Sequence, residues 1–215
     1  MNLEKTKSKV ALIIDTSLEM HHFALYDESL LWHIEKPMQV SMETSVQEIA
    51  DKLKVFQAPG CIMLAIGPGS YTGLRWGHSL ALGLATALEV PVLPFSSFMA
   101  YSSREKDSFV LFDARAGGLY GAGISACGKL TTQARRLNKT FESSYELLIQ
   151  GQELISPEAD SLNESLIEWP KLIKAEWSAS RCKEAACYLK KEVFPFKAIH
   201  LEYLKQDHEV PSFKI

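Results

Sequence analysis

The sequence predicts an α/β chain in which one mixed-sheet unit is built twice. Two aliphatic strand patterns, Val10–Ile14 and Phe109–Phe112, each run straight into an aspartate, Asp15 and Asp113. Each is followed by two more strand patterns before any helix, which argues for an antiparallel meander. In the first half, helical and strand patterns then alternate, which argues for parallel strands joined by crossover helices.

The elements follow in order. Val10–Ile14 is a continuous aliphatic run and reads as a buried strand. His22–Tyr26 and Leu30–Ile34 are two more, separated by the turn-like Asp27-Glu28-Ser29. Thr44-Ser45-Val46-Gln47 supplies a capping box. Val46, Ile49, Ala50 and Leu53 continue it at i, i+3, i+4, i+7 spacing, so an amphipathic helix is expected to about Phe56, broken by Pro59-Gly60. Cys61–Ile66 is a buried strand, and Gly67–Arg75 joins it to a long apolar helix. Pro91–Pro94 is a short strand leading to a helix near Ser97–Ser102. Three strands, helix, strand, helix, strand, helix is the arrangement of a ribonuclease H-like, actin-like half domain.

The polar stretch Ser103–Ser108 reads as a linker, which divides the chain into units 1–103 and 104–215. Tyr120–Ala126 and Leu130–Leu137 then complete a second set of three strands. Ser143–Ile149 and Ser161–Trp169 look like short helices, and Ser178–Lys191 like a clearer one. The second unit is therefore expected to be a reduced actin-like copy. No obvious sequence repeat accompanies the duplication. Gln206–Ile215 has no periodicity and is expected to be loose.

At 47% hydrophobic and 23% charged residues, the chain has the composition of an ordinary globular protein with a substantial core. A formal net charge of −3 argues against a lone nucleic-acid binder, which would carry a concentrated basic surface. Cys61, Cys127, Cys182 and Cys187 form no C-x-x-C and no zinc spacing, so reduced cytoplasmic thiols are expected. The N-terminus lacks a cleavage-site pattern and the apolar run Leu80–Leu93 is too broken to span a bilayer, so a soluble cytoplasmic protein without membrane contact is expected.

The stretch GPGSYTGLR, Gly67 to Arg75, looks at first like a phosphate loop. A P-loop needs a lysine after its last glycine, where this chain has Leu74. A dinucleotide fingerprint needs its third glycine one residue earlier than Gly73. A nucleophile elbow needs glycines flanking Ser70 where Pro68 and Thr72 stand. What remains is a turn of permissive glycines, a cap from Ser70 or Thr72, and a weakly electropositive helix start that could hold an anion. The helix it launches carries small residues at i+4 intervals: Gly73, Gly77, Ala81 and Ala85 in one row, Ser79, Gly83 and Ala87 in another. Between Leu80 and Leu88 only Thr86 is polar. A helix apolar all round must be covered all round. Either the preceding helix does this or a second subunit does, and the second is favoured here.

The string GPGSYTGLRWG closely resembles the signature of the TsaB family, also called YeaZ. Leu12–Ser17 looks like that family's opening strand, and Val90-Pro91-Val92 with Ser96-Ser97 resembles its exit from the second helix. Asp113-Ala114-Arg115 with Gly117 and Tyr120 resembles its second-unit motif, and Tyr203-Leu204-Lys205 echoes a C-terminal one. Residues 10–125 match well and the remainder poorly. Gly118, Ala116 and Ile66 depart from the family pattern.

The resemblance implies two actin-like units and a non-catalytic role in making N6-threonylcarbamoyladenosine at position 37 of ANN-reading tRNAs. It implies a TsaD-type catalytic subunit as partner, a TsaE-type ATPase as accessory, contact with tRNA only through the complex, and a homodimer when the chain is alone. Transferred residue by residue, Gly67, Gly69, Ser70, Thr72, Gly73 and Arg75 form the loop motif, with a nucleotide at the partner interface as its one candidate cofactor. Leu74, His78, Leu82, Ala85 and Thr86 become the expected partner surface, with Leu82 facing away from the sheet. Asp15 and Asp113 become vestigial nucleotide-site positions, with Gly117 and Gly118 the nearest remnant of a phosphate loop.

The residues themselves argue against catalysis by this chain. A TsaD-type metal site needs H-x-x-x-H on a helix. His21 and His22 are adjacent on a strand and point to opposite faces. His33, His78, His200 and His208 have no matching histidine in sequence, so no metal site is expected. The competing reading is an enzyme: an actin-like nucleotide hydrolase or kinase using Asp15, Asp113 and the glycine loop.

Overall fold

The computed structural model describes residues 8–188 except 41 and 116. The tail, the Tyr203–Lys205 motif, Ala116, His200 and His208 lie outside the described residues, as does the side chain of Cys187.

The first sheet contains β1 (Ala11–Asp15), β2 (Met20–Tyr26), β3 (Leu30–Pro37), β4 (Cys61–Ala65) and β5 (Val92–Phe95), in the order β3-β2-β1-β4-β5. β2 is antiparallel to β1 and β3, whereas β4 and β5 run parallel to β1. The second sheet contains β6 (Ser108–Asp113), β7 (Gly118–Ile124), β8 (Arg135–Asn138), β9 (Glu153–Ser156) and β10 (Ile173–Lys174). Its order, read from the far edge, is β8-β7-β6-β9-β10, with the same alternation of directions. The duplication expected from the paired aspartates is therefore topologically complete. β9 and β10 are strands that the sequence pattern did not predict.

Helices α1 (Met42–Val55) and α2 (Tyr71–Leu88) fall among the strands of the first sheet in chain order; α3 (Ser143–Ile149), α4 (Ala159–Ser165) and α5 (Ala179–Tyr188) follow β8, β9 and β10 in turn. α1 starts ahead of the expected capping box, so Thr44 lies inside the first turn and not before it. Ser97–Tyr101 is a 3-10 turn. Strand alternation sorts the core into layers. On β1, Leu12 and Ile14 face α1 and α2, packing with Phe23, Ile49, Ala81 and Ala85. Ile13 faces the other way, toward Phe98, Val110, Phe112 and Cys182. On β6, Phe109 and Leu111 face α3 and α4, packing with Tyr145, Leu162 and Trp169. The two sheets thus share an inner core, and α5, although late in the chain, packs back against β5, β4 and β2 of the first sheet.

This layering puts the ends of β1 and β6 on the same side of the shared core. Arg115 in the β6–β7 turn reaches Glu19 in the β1–β2 turn at 2.6 Å.

Candidate functional site

The glycine loop is built onto the end of β1. Gly67 adopts φ 117°, a conformation side chains resist. Its amide donates to Ser97 Oγ at 3.1 Å, and its carbonyl accepts from the Ser97 amide at 2.8 Å and Ser96 Oγ at 3.2 Å. The Ser70 amide donates to the Ser17 carbonyl at 2.6 Å, and Thr16 Oγ1 donates to the Gly73 carbonyl at 2.8 Å. Ser70 Oγ caps α2 by accepting from the Gly73 amide at 3.3 Å. The later glycines are required by proximity. A Cβ on Gly69 would sit 2.1 Å from the Ser17 carbonyl, and one on Gly77 2.2 Å from Thr16 Oγ1.

α2 has two unlike faces. Gly73, Leu74, Gly77, Ala81 and Ala85 are buried against their own sheet. Leu80, Leu82 and Leu84 are half-buried on the same core. The outer face presents Thr72, Arg75, Ser79, Gly83, Thr86 and Ala87, all exposed. This corrects the expected partner surface. Leu74 and Ala85 lie behind the helix, Leu82 packs on the core instead of pointing away from the sheet, and the small row through Gly73 and Gly77 serves the chain's own sheet. Thr86 is exposed, with its hydroxyl donating to the Leu82 carbonyl at 2.8 Å. His78 is half-buried; among the described residues its Nε2 has no hydrogen-bond partner, and burial holds its pKa below the ordinary value. Arg75 lies over the Tyr71 ring, 5.3 Å from its centroid, and donates to its hydroxyl at 3.0 Å.

Asp15 lies beneath the loop and is 1% exposed. Its Oδ1 accepts from Ser17 Oγ at 2.6 Å and the Ser17 amide at 3.1 Å, and its Oδ2 from Trp177 Nε1 at 3.0 Å. Burial pushes its carboxyl pKa up, and these three donors only partly offset that. Asp113 is more open and sits among ions. It accepts from Lys139 Nζ at 3.1 Å and the Arg115 amide at 2.8 Å, and its own amide donates to Glu158 Oε2 at 2.8 Å. Burial also raises the pKa of Glu158. Gly117 takes φ +79° in the turn, whereas Gly118 is a strand residue whose Cβ would meet the flexible Arg136 side chain at 2.8 Å and the Leu137 carbonyl at 3.1 Å. Asp15 and Asp113 match in topology, yet each is engaged by its own surroundings.

Sequence reasoning missed Trp177 altogether. It also left His33 without a matching histidine, whereas His33 Nε2 lies 3.2 Å from His22 Nδ1. The opposite facing of His21 and His22 holds: His21 stacks on Trp76 of α2, and His22 on Trp177 in the shared core. Among the described residues, no three His, Cys, Asp or Glu side chains converge as metal ligands, and no helix is long and apolar enough to cross a membrane.

The profile of the family described as TsaD, tRNA N6-adenosine threonylcarbamoyltransferase, matches residues 36–211, most of the chain. The chain belongs to this family. Within it, the curated relatives that the chain resembles are TsaB proteins. The tRNA threonylcarbamoyladenosine biosynthesis protein TsaB of Bacillus subtilis (strain 168) is 44% identical over 63 residues, covering 27% of this chain and 28% of that protein. The protein of the same name from Haemophilus influenzae is 24% identical over 166 residues, covering 72% and 65%. The matches thus span less than two thirds of either relative. A solved structure from Pseudomonas aeruginosa, described as an uncharacterized protein with similarity to peptidase YEAZ, superposes with a TM-score of 0.73 at 18% identity, covering 92% of this chain and all of that one. That likeness establishes the fold.

Proposed function

We propose that the chain is a non-catalytic scaffold and activator in the biosynthesis of N6-threonylcarbamoyladenosine at position 37 of ANN-reading tRNAs. It binds and supports a TsaD-type catalytic subunit through the exposed face of α2 and the adjoining loop. The names of the two TsaB relatives support the pathway. The observation that carries the scaffold reading is the commitment of Asp15. In an actin-like enzyme that carboxylate would have to face the reacting phosphates and metal, but here, among the described residues, the donors to its oxygens are Ser17 and Trp177. Meanwhile the outer face of α2 presents small and polar side chains suited to close helix approach. On this reading, Gly67–Arg75 borders a partner's site, where a nucleotide would contact both chains. A TsaE-type ATPase joins the complex, tRNA is met only there, and the same face supports a homodimer when the partner is absent.

The test is reconstitution of tRNA modification from a TsaD-type subunit, a TsaE-type ATPase and threonylcarbamoyl-adenylate, with and without this chain. Modification should require the chain. Undiminished modification in its absence refutes the proposal. ATP turnover by the isolated chain, abolished by Asp15→Ala, would establish the enzyme reading in its place.

A further inference from the structure

The shared core holds a histidine pair that the proposed function does not use. The imidazoles of His22 and His33 lie nearly coplanar, 12° apart, with Nδ1 and Nε2 3.2 Å from each other. That spacing accommodates one N–H···N hydrogen bond between neutral rings. Both rings stack on one indole, that of Trp177, at 4.7 Å and 4.9 Å between centroids. Trp177 comes from the second unit, in the segment entering α5, and its Nε1 donates to Asp15. Asp15 in turn holds the Ser17 amide and hydroxyl, and the Ser17 carbonyl accepts from Ser70 in the glycine loop. A continuous set of contacts therefore runs from the histidine pair through Trp177 and Asp15 to the start of α2.

We propose that Trp177 is a proton-sensitive latch: with His22 and His33 neutral it ties α5 to the glycine loop, and protonation of the pair releases it and loosens both. The inference concerns the free chain and stands whether or not the loop meets a partner. Protonating both rings at this distance would put charge on charge in a buried site, and the pair gains solvation only by opening. The groups facing the pair are Asp15 on β1, Glu35 opposite His22 on β3, and Tyr101 in the 3-10 turn, with Cys182 of α5 beyond the tyrosine; His21, on the opposite face of β2, acts on His22 only through space. Glu35 favours the charged rings, but burial and the second histidine outweigh it and hold the His22 pKa down to about 4. Burial likewise lowers that of His33. A solvated His22 would titrate near its ordinary value, so acidification favours release. Between pH 7.5 and pH 5 this one group increases the open population by at most about 30-fold. Asp15 works the other way, because burial raises its pKa and the latched state takes up its proton first.

Amide hydrogen exchange on the full chain at pH 7.5 and pH 5, corrected for intrinsic chemistry, tests this. Opening of residues 70–75 and 177–185 should rise together, by about 5- to 30-fold, while Leu12–Ile14 in β1 stays protected. His22→Gln, or His33→Gln should the first variant fold poorly, should remove the rise. Trp177→Phe, which keeps a ring but loses the donor, should raise opening of both segments already at pH 7.5. The proposal is overturned if the two segments respond independently, if the glutamine variants keep the rise, or if β1 opens equally, which would mean global destabilisation.

Discussion

Gly77→Ala and Gly83→Ala make the same chemical change about one and two-thirds turns apart on α2, and they should move stability in opposite directions. At Gly83 the added methyl meets nothing within 4 Å. The variant therefore collects the helix-propensity gain of alanine over glycine, about 1 kcal/mol. At Gly77 the methyl would sit 2.2 Å from Thr16 Oγ1 and 3.3 Å from Thr16 Cβ. Thr16 cannot swing aside cheaply, being 0% exposed and donating to the Gly73 carbonyl at 2.8 Å. The helix must lift from β1, and overpacking of that kind costs about 1–3 kcal/mol, which outweighs the propensity gain. For a chain of this size, 1 kcal/mol moves Tm by about 2–4 °C. Thermal and urea unfolding of the free chain should show Gly83→Ala melting a few degrees higher and Gly77→Ala lower. Destabilisation by Gly83→Ala, or a neutral Gly77→Ala, would refute the assignment of inner and outer faces.

Three further outcomes follow from named contacts. Arg181 is 2% exposed, and its guanidinium donates to the carbonyls of Ser102, Ser103, Ser125 and Ala126 and to Glu184 at 2.5–3.4 Å. Arg181→Ala should cost about 3–5 kcal/mol in denaturant unfolding, and Arg181→Lys should recover only part, because one ammonium cannot span those carbonyls. The His22 pKa, lowered in the folded state to about 4, makes a stabilising contribution that is fully present above the ordinary histidine value and lost as pH falls toward 4. Over that window it amounts to about 3 kcal/mol, and urea titrations should show His22→Gln with a flatter pH profile. Gly83→Arg should leave the free chain folded, having open space around it. It should nevertheless abolish stimulation in the reconstituted tRNA-modification assay; full stimulation would place the partner elsewhere.

Legibility from sequence followed the length and regularity of each element. Val10–Ile14, Cys61–Ile66 and the long helix after Gly73 were readable because buried runs and i+4 spacing extend over several residues. β9 and β10, of four and two residues, offer no period to detect, and they exist because β6 and α4 cover them. The glycine loop was legible as something other than a nucleotide loop, since Leu74 and the position of Gly73 fail the known templates. Which face of α2 was free was not legible. Two small-residue rows look alike in sequence, and only the closeness of Thr16 makes one of them inner. Trp177 gave no local signal, because its partners Asp15, His22 and His33 lie far away along the chain.

The sequence by itself determined the paired strand-end aspartates, the element order that builds the sheet twice, and the family signature in the loop. These are local or periodic properties, set by backbone propensity and by the burial of each element on its nearest neighbours. Tertiary structure alone decided that Asp15 is sealed by an indole 162 residues further along the chain, that Leu74, Leu82 and Ala85 belong to the chain's own core, and that two histidines share one ring. Each of these depends on α5 and its approach segment folding back across the first sheet, a long-range packing that no local periodicity records.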